Sequence, residues 1–286
     1  MPELPEVEAL ARFLHEGSRG RTVERAEVAS LSALKTYDPP AESLRGQTVA
    51  EVSRRGKYLC VRAGELWLVV HLALGGWVRW HEVAPPGRGR PGRGPLALRV
   101  ALSGGPGFDV TEQGTEKRLA LWVVRDPSEV EGVARLGPDP LDPSFSAARL
   151  AGLLAGRPGS LKTVLTDQSV IAGVGNAYSD EALHAARLSP YKPAGRLTPV
   201  EAETLHRALV GVLGRAVQRS LGLPAKGLKA EKKEGLAVHG RAGRPCPVCG
   251  DTIRKVSLAS RSFQYCPTCQ TGGRPLADRR LSRLLK

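Results

Sequence analysis

The sequence predicts an α+β protein, with a β-sandwich and flanking helices in its first half and a helical region ending in a cysteine-bearing β-hairpin in its second. In the first half, short runs rich in Val, Leu and Trp are separated by Gly and Pro. Several short strands at such spacing are typical of a sandwich or a barrel and not of a parallel sheet. The second half is rich in helix formers and carries two Cys-x-x-Cys pairs. A chain of 286 residues can form two domains, each with its own core.

The first predicted element is a helix that begins within PELPEVEAL. The apolar residues Val7, Leu10, Ala11 and Leu14 follow the spacing of one helical face, and we expect the helix to end near Gly17. Strand-like runs follow it: TVERAEV, TVAEVSRR, KYLCVRA, LWLVVHLAL, WVRWHEV, LALRVAL, FDVTE and RLALWVVRD. The stretch PPGRGRPGRG between two of them is typical of a solvated loop.

A proline-rich segment at residues 136–145, LGPDPLDPSF, predicts a hinge between domains. The segments after it carry helix formers at helical spacing: AARLAGLLAG, LKTVLTDQSVI, NAYSDEALHAARL and TPVEAETLHRALVGVLGRAVQRSL. In the last of these, Thr198 is a suitable cap and Glu201 stands three residues further on. We therefore expect these domains: a β-sandwich at 1–135, the hinge at 136–145, a helical domain at 146–240, and a cysteine-bearing finger with a tail at 241–286.

The charge of the chain favours a polyanionic partner. Lys and Arg number 42 against 28 Asp and Glu, for a formal net charge of +14. Nucleic acid is favoured over a membrane surface, because no basic cluster is paired with a strongly apolar helix face. No signal peptide and no window that approaches a membrane span is evident. We therefore expect a cytosolic protein, in which clustered cysteines are more often metal ligands than disulfides.

The strongest single motif lies near the C-terminus, where two Cys-x-x-Cys pairs are separated by 16 residues. Pairs at this separation fit a tetrahedral zinc site built on a β-hairpin. The expected zinc ligands are Cys246, Cys249, Cys266 and Cys269. The sequence between them places Arg261 at or beside the hairpin tip. This arginine is either a solvated side chain or a contact to a ligand.

A glycine-rich turn, with Gly173, Gly175 and Asn176, stands directly before a predicted helix. Backbone N–H groups of such a turn, together with the positive helix end, can bind a phosphate. The preceding LKTVLTDQSVI predicts a helix and not a strand, which excludes a dinucleotide-binding fold. The turn is therefore either a contact to a DNA backbone, with Asn176 as donor, or a structural connection between helices.

The N-terminal stretch PELPEVE places a proline before three carboxylates. If Met1 is removed, Pro2 becomes a secondary amine with a pKa of about 8, which a helix start and cationic neighbours would lower. Attack of this amine on a sugar C1′ gives an iminium without an N–H proton to lose, so it stays cationic. Glu3 can then transfer protons. Helix capping, in which Glu6 reaches back to the N–H groups of the turn, is the competing interpretation, and both can hold.

In SRRGKYL, Gly56 and Lys57 predict a tight turn between two strands, with the lysine at its tip. A solvent-facing hairpin lysine is the default interpretation. A functional role requires that the turn face the N-terminus.

The set PELPEVE, RRGKYL, HLALGG, GVGNAYSDEAL, VHGR and the four-cysteine finger resembles the formamidopyrimidine-DNA glycosylase and endonuclease VIII family. The resemblance spans nearly the whole chain. It implies a β-sandwich, a helix-two-turns-helix domain and a finger with one structural Zn²⁺, with double-stranded DNA in the cleft between them. It also implies a bifunctional DNA glycosylase and abasic-site lyase of base excision repair, acting on damaged bases or abasic sites by β/δ-elimination. We expect a monomer in the bacterial cytosol and nucleoid.

The resemblance also implies roles for individual residues. Pro2 resembles the Schiff-base nucleophile, Glu3 the acid/base residue and Glu6 the supporting carboxylate, and Lys57 is counted with this catalytic group. The positions that resemble DNA contacts are Lys57, His71, Leu74, Gly175, Asn176, His239 and Arg261. Extrusion of the nucleotide is expected, because C1′ is shielded in a stacked duplex.

The chain departs from the family pattern at three places. Leu74 stands where purine-specific members have a methionine, and VTEQGTEKRLALWV lacks the arginine and phenylalanine wedge. Strand opening would then use Gln113, Lys117, Arg118 or Leu74 differently. The segment GLKAEKKEGLAVHGR is shorter than the family's lesion-capping loop, and His239 replaces a tyrosine. The sequence therefore leaves the lesion open.

Two other classes of function stay open beside the enzyme. One is a non-catalytic protein on the same fold that binds damaged or unusually structured DNA, which the altered wedge allows. The other is a zinc-ribbon accessory protein for nucleic acids. The second leaves the N-terminal Pro2 and Glu3 unexplained.

Overall fold

In the computed structural model, which describes residues 1–87, 94–258 and 261–277, the chain divides into two units. Unit one consists of Met1–Leu136 and Ser220–Lys229, and unit two of Gly137–Arg219 and Ala230–Lys286. For Leu258 and Arg261 only the backbone is described. The centre of the predicted solvated loop, residues 88–93, and the end of the predicted tail, residues 278–286, lie outside the described residues.

Unit one begins with helix α1 (Leu4–Ser18), which ends within one residue of the predicted position. Glu3 is its N-cap, and Pro5 occupies the first turn. The Glu3 backbone N–H donates to Glu6 Oε2 at 2.8 Å, and the Glu3 carboxylate accepts from the Glu6 backbone N–H. This reciprocal capping box satisfies two N–H groups that a helix start otherwise leaves without partners. The buried face contains Val7, Leu10, Ala11 and Leu14, as the apolar spacing predicts.

The described part of unit one contains eight strands, which lie in the eight predicted runs: β1 (Val23–Val28), β2 (Val49–Arg55), β3 (Tyr58–Ala63), β4 (Leu66–His71), β5 (Gly76–His81), β6 (Leu96–Leu102), β7 (Gly107–Glu112) and β8 (Ala120–Val124). They form two antiparallel four-stranded sheets, in the orders β1-β6-β7-β5 and β2-β3-β4-β8. Both sheets and α1 contribute to one apolar core, exemplified by Leu10, Val61, Val70, Val100 and Val110. The β-region is therefore a sandwich and not a barrel.

The second sheet is buried on both faces. Leu59 and Val61 face the sandwich core. Cys60, between them, faces the other way and packs with two valines of helix α2 (Glu131–Ala134): Val130, its N-cap, and Val133 within it. Burial raises the pKa of the Cys60 thiol to about 12. Cys60 is therefore an inert packing residue.

Unit two contains helices joined to a β-hairpin. The remaining elements are α3 (Ala147–Leu154), α4 (Leu161–Leu165), α5 (Asn176–Ala185), α6 (Pro199–Ser220), α7 (Leu228–Gly235), β9 (Arg254–Leu258), β10 (Arg261–Tyr265) and α8 (Pro267–Thr271). The predicted cap of α6 is present, since the Thr198 backbone N–H donates to the Glu201 carboxylate and the Glu201 N–H donates to Thr198 Oγ1. None of the described helices is long and apolar enough to cross a membrane.

The helix predicted over residues 161–171 is wrong beyond Leu165, where α4 ends. Polar side chains offer the backbone other partners there. Asp167 Oδ1 accepts from both N and Oγ of Ser169, and the Gln168 carboxamide accepts from Gly173 N. Such local bonds compete with helical ones and produce turns. No strand precedes the glycine turn in residues 161–175, so the exclusion of a dinucleotide fold stands.

Candidate active site and metal centre

Pro2, Glu3 and Glu6 lie together at the buried start of α1. The capping box fixes both carboxylates at the positive end of the helix, where a negative charge is stabilised. Met1, in contrast, is about half exposed. The predicted capping role is thus present in the structure. The capping box also holds the Glu3 carboxylate next to Pro2, the residue between Glu3 and Met1.

The turn between β2 and β3, which carries Lys57, is directed toward the start of α1. Val52 N donates to His15 Nδ1 at 3.0 Å, and Arg54 Nε pairs with Glu8 Oε2 at 3.0 Å. The second contact is nearer the turn along β2 and nearer the first residue along α1, so the strand runs toward the start of the helix. At about 3.3 Å per strand residue and about 1.5 Å per helical residue, the turn reaches the level of the first turn of α1.

Lys57 is only 6% exposed, so its default interpretation as a solvent-facing lysine is wrong. Gly56, with φ of +55°, makes the tight turn that places it there. The neighbouring His71 lies opposite Tyr58 across β3 and β4, and their rings are 4.8 Å apart. Burial, and next the positive charge of Lys57, lower the pKa of His71 to about 4. His71 is therefore neutral near pH 7 and offers one N–H donor but no positive charge.

Leu74 lies at a strained turn and is 61% exposed. The strain is at Ala73, which has φ of +49° although it is not a glycine. Gly75 approaches the Gln113 carbonyl so closely that a Cβ would lie 2.0 Å from its oxygen, and Gln113 N donates to Gly75 O. The Leu74 turn and the loop after β7 are therefore neighbours. This contact explains why position 75 needs a glycine.

The loop after β7, residues 113–119, takes its shape from Glu112, a buried residue that the sequence analysis missed. Glu112 Oε1 accepts from Arg118 N at 2.7 Å and from Leu119 N at 2.9 Å. Lys117 Nζ donates to the Glu112 carbonyl at 2.7 Å. This loop contains Gln113, Lys117 and Arg118, which the sequence analysis names as candidates for strand opening. The feature of the sequence that could have predicted this role is a carboxylate at the end of a strand, directly before a polar loop that contains a glycine.

The segment expected to be a shortened lesion-capping loop contains α7. The residues before and at its start pack in unit one, where Ala225 and Leu228 join the sandwich core. Trp77 Nε1 donates to the Ala225 carbonyl at 2.9 Å, and Lys229 Nζ lies 4.6 Å from the centre of the Trp77 ring. An indole N–H bond and a cation–π contact thus fasten this segment to β5.

In unit two, Gly175 is the N-cap of α5 and Asn176 is the first residue of that helix. Asn176 Nδ2 donates to the Ser262 carbonyl of β10 at 2.7 Å. A carboxamide has two N–H donors, so this bond leaves one for a ligand. Arg261 starts the same strand and pairs with Leu258, while its side chain lies outside the described residues. The structure therefore brings Gly175 and Asn176 next to the hairpin that carries Arg261.

A buried polar network, which the sequence analysis missed, connects α4, α5 and the hairpin. Asp180 is fully buried, and its Oδ1 accepts from Lys162 Nζ. Its Oδ2 accepts from Gln264 N at 3.0 Å and lies 2.7 Å from His239 Nδ1. Lys162 Nζ also donates to the Asn176 carbonyl at 2.6 Å. The network thereby fixes one ring nitrogen of His239 and the first turn of α5.

Glu181, the next residue of α5, holds the VHGR segment by its backbone. Its carboxylate accepts from the N–H groups of Ala237, Val238 and His239 at 2.8 to 2.9 Å. Burial raises the pKa of Glu181, and the three hydrogen bonds act in the opposite direction. A buried carboxylate needs such donors, because burial of a polar group without partners is costly. The signal in the sequence was the pair Asp180 and Glu181 within a helix whose other positions are mostly apolar.

The four predicted zinc ligands converge. All four Sγ atoms lie within 4.8 Å of one another, with Cys246 and Cys269 at 3.9 Å and Cys249 and Cys266 at 3.3 Å. Tetrahedral zinc with Zn–S bonds of about 2.3 Å needs sulfur atoms about 3.8 Å apart. The cysteines therefore fit one tetrahedral zinc ion, and β9 and β10 form the expected hairpin between the two pairs.

Comparison with known proteins accounts for this arrangement. Three family models match successive parts of the chain: the N-terminal domain of formamidopyrimidine-DNA glycosylase at residues 1–112, its H2TH domain at 136–224, and the zinc finger found in FPG and IleRS at 243–272. A formamidopyrimidine-DNA glycosylase from Symbiobacterium thermophilum is 40% identical over 94% of this chain and 89% of its own. The chain belongs to the formamidopyrimidine-DNA glycosylase family. It is thus a DNA-binding glycosylase of base excision repair with one structural zinc ion.

Solved structures confirm the fold of this glycosylase. MutM (Fpg) from Thermus thermophilus is 34% identical and superposes with a TM-score of 0.79, covering 96% of this chain and 100% of that one. Fpg from Lactococcus lactis in complex with DNA containing an abasic site is 25% identical, with a TM-score of 0.83 and coverage of 94% and 99%. The predicted β-sandwich, helix-two-turns-helix domain and zinc finger are all present.

The predicted site residues of the glycosylase fall into three groups. Unit one gathers Pro2, Glu3 and Glu6 at the start of α1, toward which the Lys57 turn is directed, with His71 beside it. Leu74 forms a separate exposed turn beside the Gln113 loop. Unit two gathers Gly175, Asn176 and His239 around the first turns of α5, next to β10.

Proposed function

We propose that this glycosylase is bifunctional, removing a damaged base and then cleaving the strand through a Schiff base between Pro2 and the sugar C1′. The arrangement at the start of α1 carries this proposal. There a proline directly precedes the N-cap carboxylate, and the capping box holds Glu3 and Glu6 in a buried site. Loss of Met1 would convert Pro2 into the secondary amine that the reaction needs.

The chemistry follows from a secondary amine at a helix start. The Pro2 nitrogen attacks C1′ as the bond from C1′ to the base breaks, and the amine gives up its proton. The C1′–O4′ bond of the sugar then breaks with a proton delivered to O4′, and the resulting iminium has no N–H proton to lose. Its positive charge persists and withdraws electrons from C2′, so that a C2′ proton can be removed and the C3′–O bond broken. A further elimination breaks the C5′–O bond. Glu3 is proposed to deliver and remove the protons of these steps.

The residues around Pro2 and Glu3 are proposed to position and support them. Glu6 holds the Glu3 backbone through the bond to Glu3 N. Lys57 supplies a buried positive charge near the start of α1 and is proposed to contact a phosphate of the extruded nucleotide. His71, neutral near pH 7, is proposed to donate one hydrogen bond to the DNA backbone.

Other residues are proposed to bind DNA without taking part in the chemistry. The N–H groups at the start of α5, at Gly175 and Asn176, are proposed to bind a phosphate, as helix starts can. His239 and Arg261 are proposed to contact the backbone as well. Leu74 is proposed to enter the base stack where the nucleotide leaves it, beside the loop that Glu112 holds. The formal charge of +14 predicts binding that weakens steeply with salt.

The proposed substrate is duplex DNA with damaged bases or abasic sites, in agreement with the abasic-site DNA bound by the Lactococcus lactis relative. We propose that the protein acts as a monomer at the bacterial nucleoid. The competing candidate is a protein of the same fold that binds damaged DNA but does not cleave the strand. The absence of the arginine and phenylalanine wedge from residues 110–123 favours that candidate.

Borohydride trapping separates the two candidates. An abasic-site duplex is incubated with the protein and borohydride, and binding to an uncleavable tetrahydrofuran duplex is measured in parallel. The enzyme should nick the abasic strand and form a covalent adduct. Pro2→Gly, or a blocked N-terminus, should abolish the adduct, whereas Pro5→Ala in the same helix start should retain it. Tight binding without nicking or adduct would establish the candidate that does not cleave the strand, and trapping by both N-terminal variants would reject the Pro2 mechanism.

A further inference from the structure

A histidine of α5 contacts one of the zinc ligands. His184 Nε2 lies 3.3 Å from Cys246 Sγ, and the two residues are 5% and 3% exposed. This distance suits an N–H donor and a sulfur acceptor. We infer that His184 is a positioning residue of the zinc centre, which donates Nε2–H to the Cys246 thiolate and joins the zinc finger to α5.

The geometry makes His184 a hydrogen-bond donor and not a zinc ligand. The four cysteine sulfurs already lie within 4.8 Å of one another and complete a tetrahedral set. A ligating imidazole nitrogen would lie about 2.0 Å from the metal, within that set. His184 Nε2 is not part of this group and lies at hydrogen-bond distance from one of its sulfurs, as groups that orient metal ligands do.

The environment of Cys246 gives this bond its importance. Cys246 packs among the buried side chains of Val238, Ile253 and Cys266. A zinc ion with four thiolates carries net negative charge, and charge in an apolar environment must be stabilised by hydrogen-bond donors. An N–H donor from His184 withdraws electron density from the Cys246 sulfur. The thiolate then becomes less reactive and stays with the metal.

His184 also completes a row of contacts along α5. Asp180 accepts from Gln264 N on β10, Glu181 accepts from the backbone at 237–239, and His184 reaches Cys246. Three nearby positions of one helix thus hold three different parts of the segment that carries the finger. The same helix begins at Asn176, which donates to Ser262 O. Helix α5 is therefore the element against which the finger is positioned.

Two substitutions separate the hydrogen bond from the bulk of the side chain. His184→Phe keeps a ring and removes the donor, whereas His184→Gln keeps an N–H donor. His206→Gln is the matched control, since His206 lies in unit two and its Nε2 contacts the Phe145 carbonyl, away from the zinc ligands. The full-length protein is loaded with Co²⁺ for spectra and with Zn²⁺ for release to a chelator. Neither readout depends on lyase activity.

In His184→Phe, the sulfur-to-cobalt charge-transfer band should move to lower energy, because the sulfur lone pairs lose their donor. Zinc release should become about 10- to 100-fold faster. His184→Gln and His206→Gln should resemble the wild type in both measurements. The visible ligand-field bands should keep the pattern of four sulfur ligands in every variant.

Three results would overturn the inference. The first is a His184→Phe protein with the wild-type charge-transfer band and release rate. The second is a wild-type ligand-field spectrum of three sulfurs and one nitrogen, which would make His184 a ligand. The third is a His184→Gln protein that loses zinc as fast as the Phe variant. If His184→Phe does not fold, zinc release from His184→Gln is compared with that from the wild type. Release from His184→Gln that is at least tenfold faster than from the wild type rejects the hydrogen bond.

Discussion

The two units of the molecule position their functional residues by different means. In unit one, Glu3 and Glu6 are held by a helix cap, and Lys57 is held by a tight turn with a glycine at +55°. In unit two, Asn176 and His239 are held by buried charged side chains, chiefly Lys162 and Asp180, and by a metal centre. Local backbone geometry thus positions the proposed catalytic residues of unit one, whereas long-range polar contacts position the proposed DNA contacts of unit two.

This difference has a consequence for mutation. A cap residue that loses its charge but keeps its oxygen keeps most of its hydrogen bonds. A change in unit one should therefore affect chemistry more than stability. A buried ion pair that loses one partner leaves an uncompensated charge, so a change in unit two should affect stability first.

The largest effect is expected for Glu3→Gln. Loss of the proton-transferring carboxylate should lower the rate of strand cleavage by about 10²- to 10⁴-fold, while the amide oxygen still accepts the capping N–H. Stability should change by less than about 1 kcal/mol. Single-turnover nicking of an abasic-site duplex and thermal unfolding measure the two quantities. Glu8→Gln, in the same helix but paired with Arg54, is the control and should cleave normally. A Glu3→Gln enzyme with wild-type cleavage would remove Glu3 from the mechanism.

The opposite behaviour is expected for Lys162→Met in unit two. The substitution removes the ammonium partner of a fully buried carboxylate, Asp180, at a cost of about 3–5 kcal/mol. Hydrogen exchange at the β10 amides and denaturant unfolding should both report the loss. Lys192→Met breaks a half-exposed pair with Glu201 in the same unit and should cost less than about 1 kcal/mol. Equal effects of the two substitutions would contradict the role of the buried network.

Acid should destabilise unit one through His71. Its pKa is about 4 in the folded protein and about 6.5 when unfolded. Below about pH 6.5 the unfolded chain therefore takes up a proton that folded His71 takes up only near pH 4. The contribution of neutral His71 to the free energy of unfolding is fully present above pH 6.5. It is lost as the pH falls toward 4, by at most about 3 kcal/mol. The difference in unfolding free energy between wild type and His71→Gln, followed from pH 7.5 to 4, should show this slope. A constant difference would mean that His71 titrates normally.

The smallest effect is expected for Leu74→Ala. If this exposed side chain enters the base stack, its truncation should weaken binding to a tetrahydrofuran duplex by about 1–2 kcal/mol, or about 5- to 30-fold. A 2-aminopurine next to the site should also become less unstacked. Leu31→Ala, at a residue of unit one that is 72% exposed, is the matched control and should bind normally. Indistinguishable binding by the two variants would assign strand opening to the loop after β7.

Local patterns in the sequence predicted much of the fold. The helical spacing of α1, the eight strand runs and the four cysteines depend on neighbours in sequence, and all are confirmed. The end of α4 at Leu165 was not predicted, because the Asp167 and Gln168 side chains compete with helical bonds. The burial of Lys57 and the low pKa of His71 were also missed. Both depend on strands that pack together only in the folded chain.

The candidate site shows the same division. Glu3 and Glu6 could be predicted from spacing, since a cap needs only a separation of three residues. The partners of Asp180, which lie 18, 59 and 84 residues away, could not be predicted. Neither could the approach of His184 to Cys246, which are 62 residues apart.

Mass mapping of the borohydride-trapped complex tests the central claim most directly. The adduct is digested with protease and nuclease, and the peptide that carries the reduced sugar remnant is identified together with the N-terminus of the untreated active enzyme. We predict that Met1 is absent and that the remnant is attached to the nitrogen of Pro2. A remnant on Lys57 or another lysine, or a fully active enzyme that retains Met1, would contradict the account.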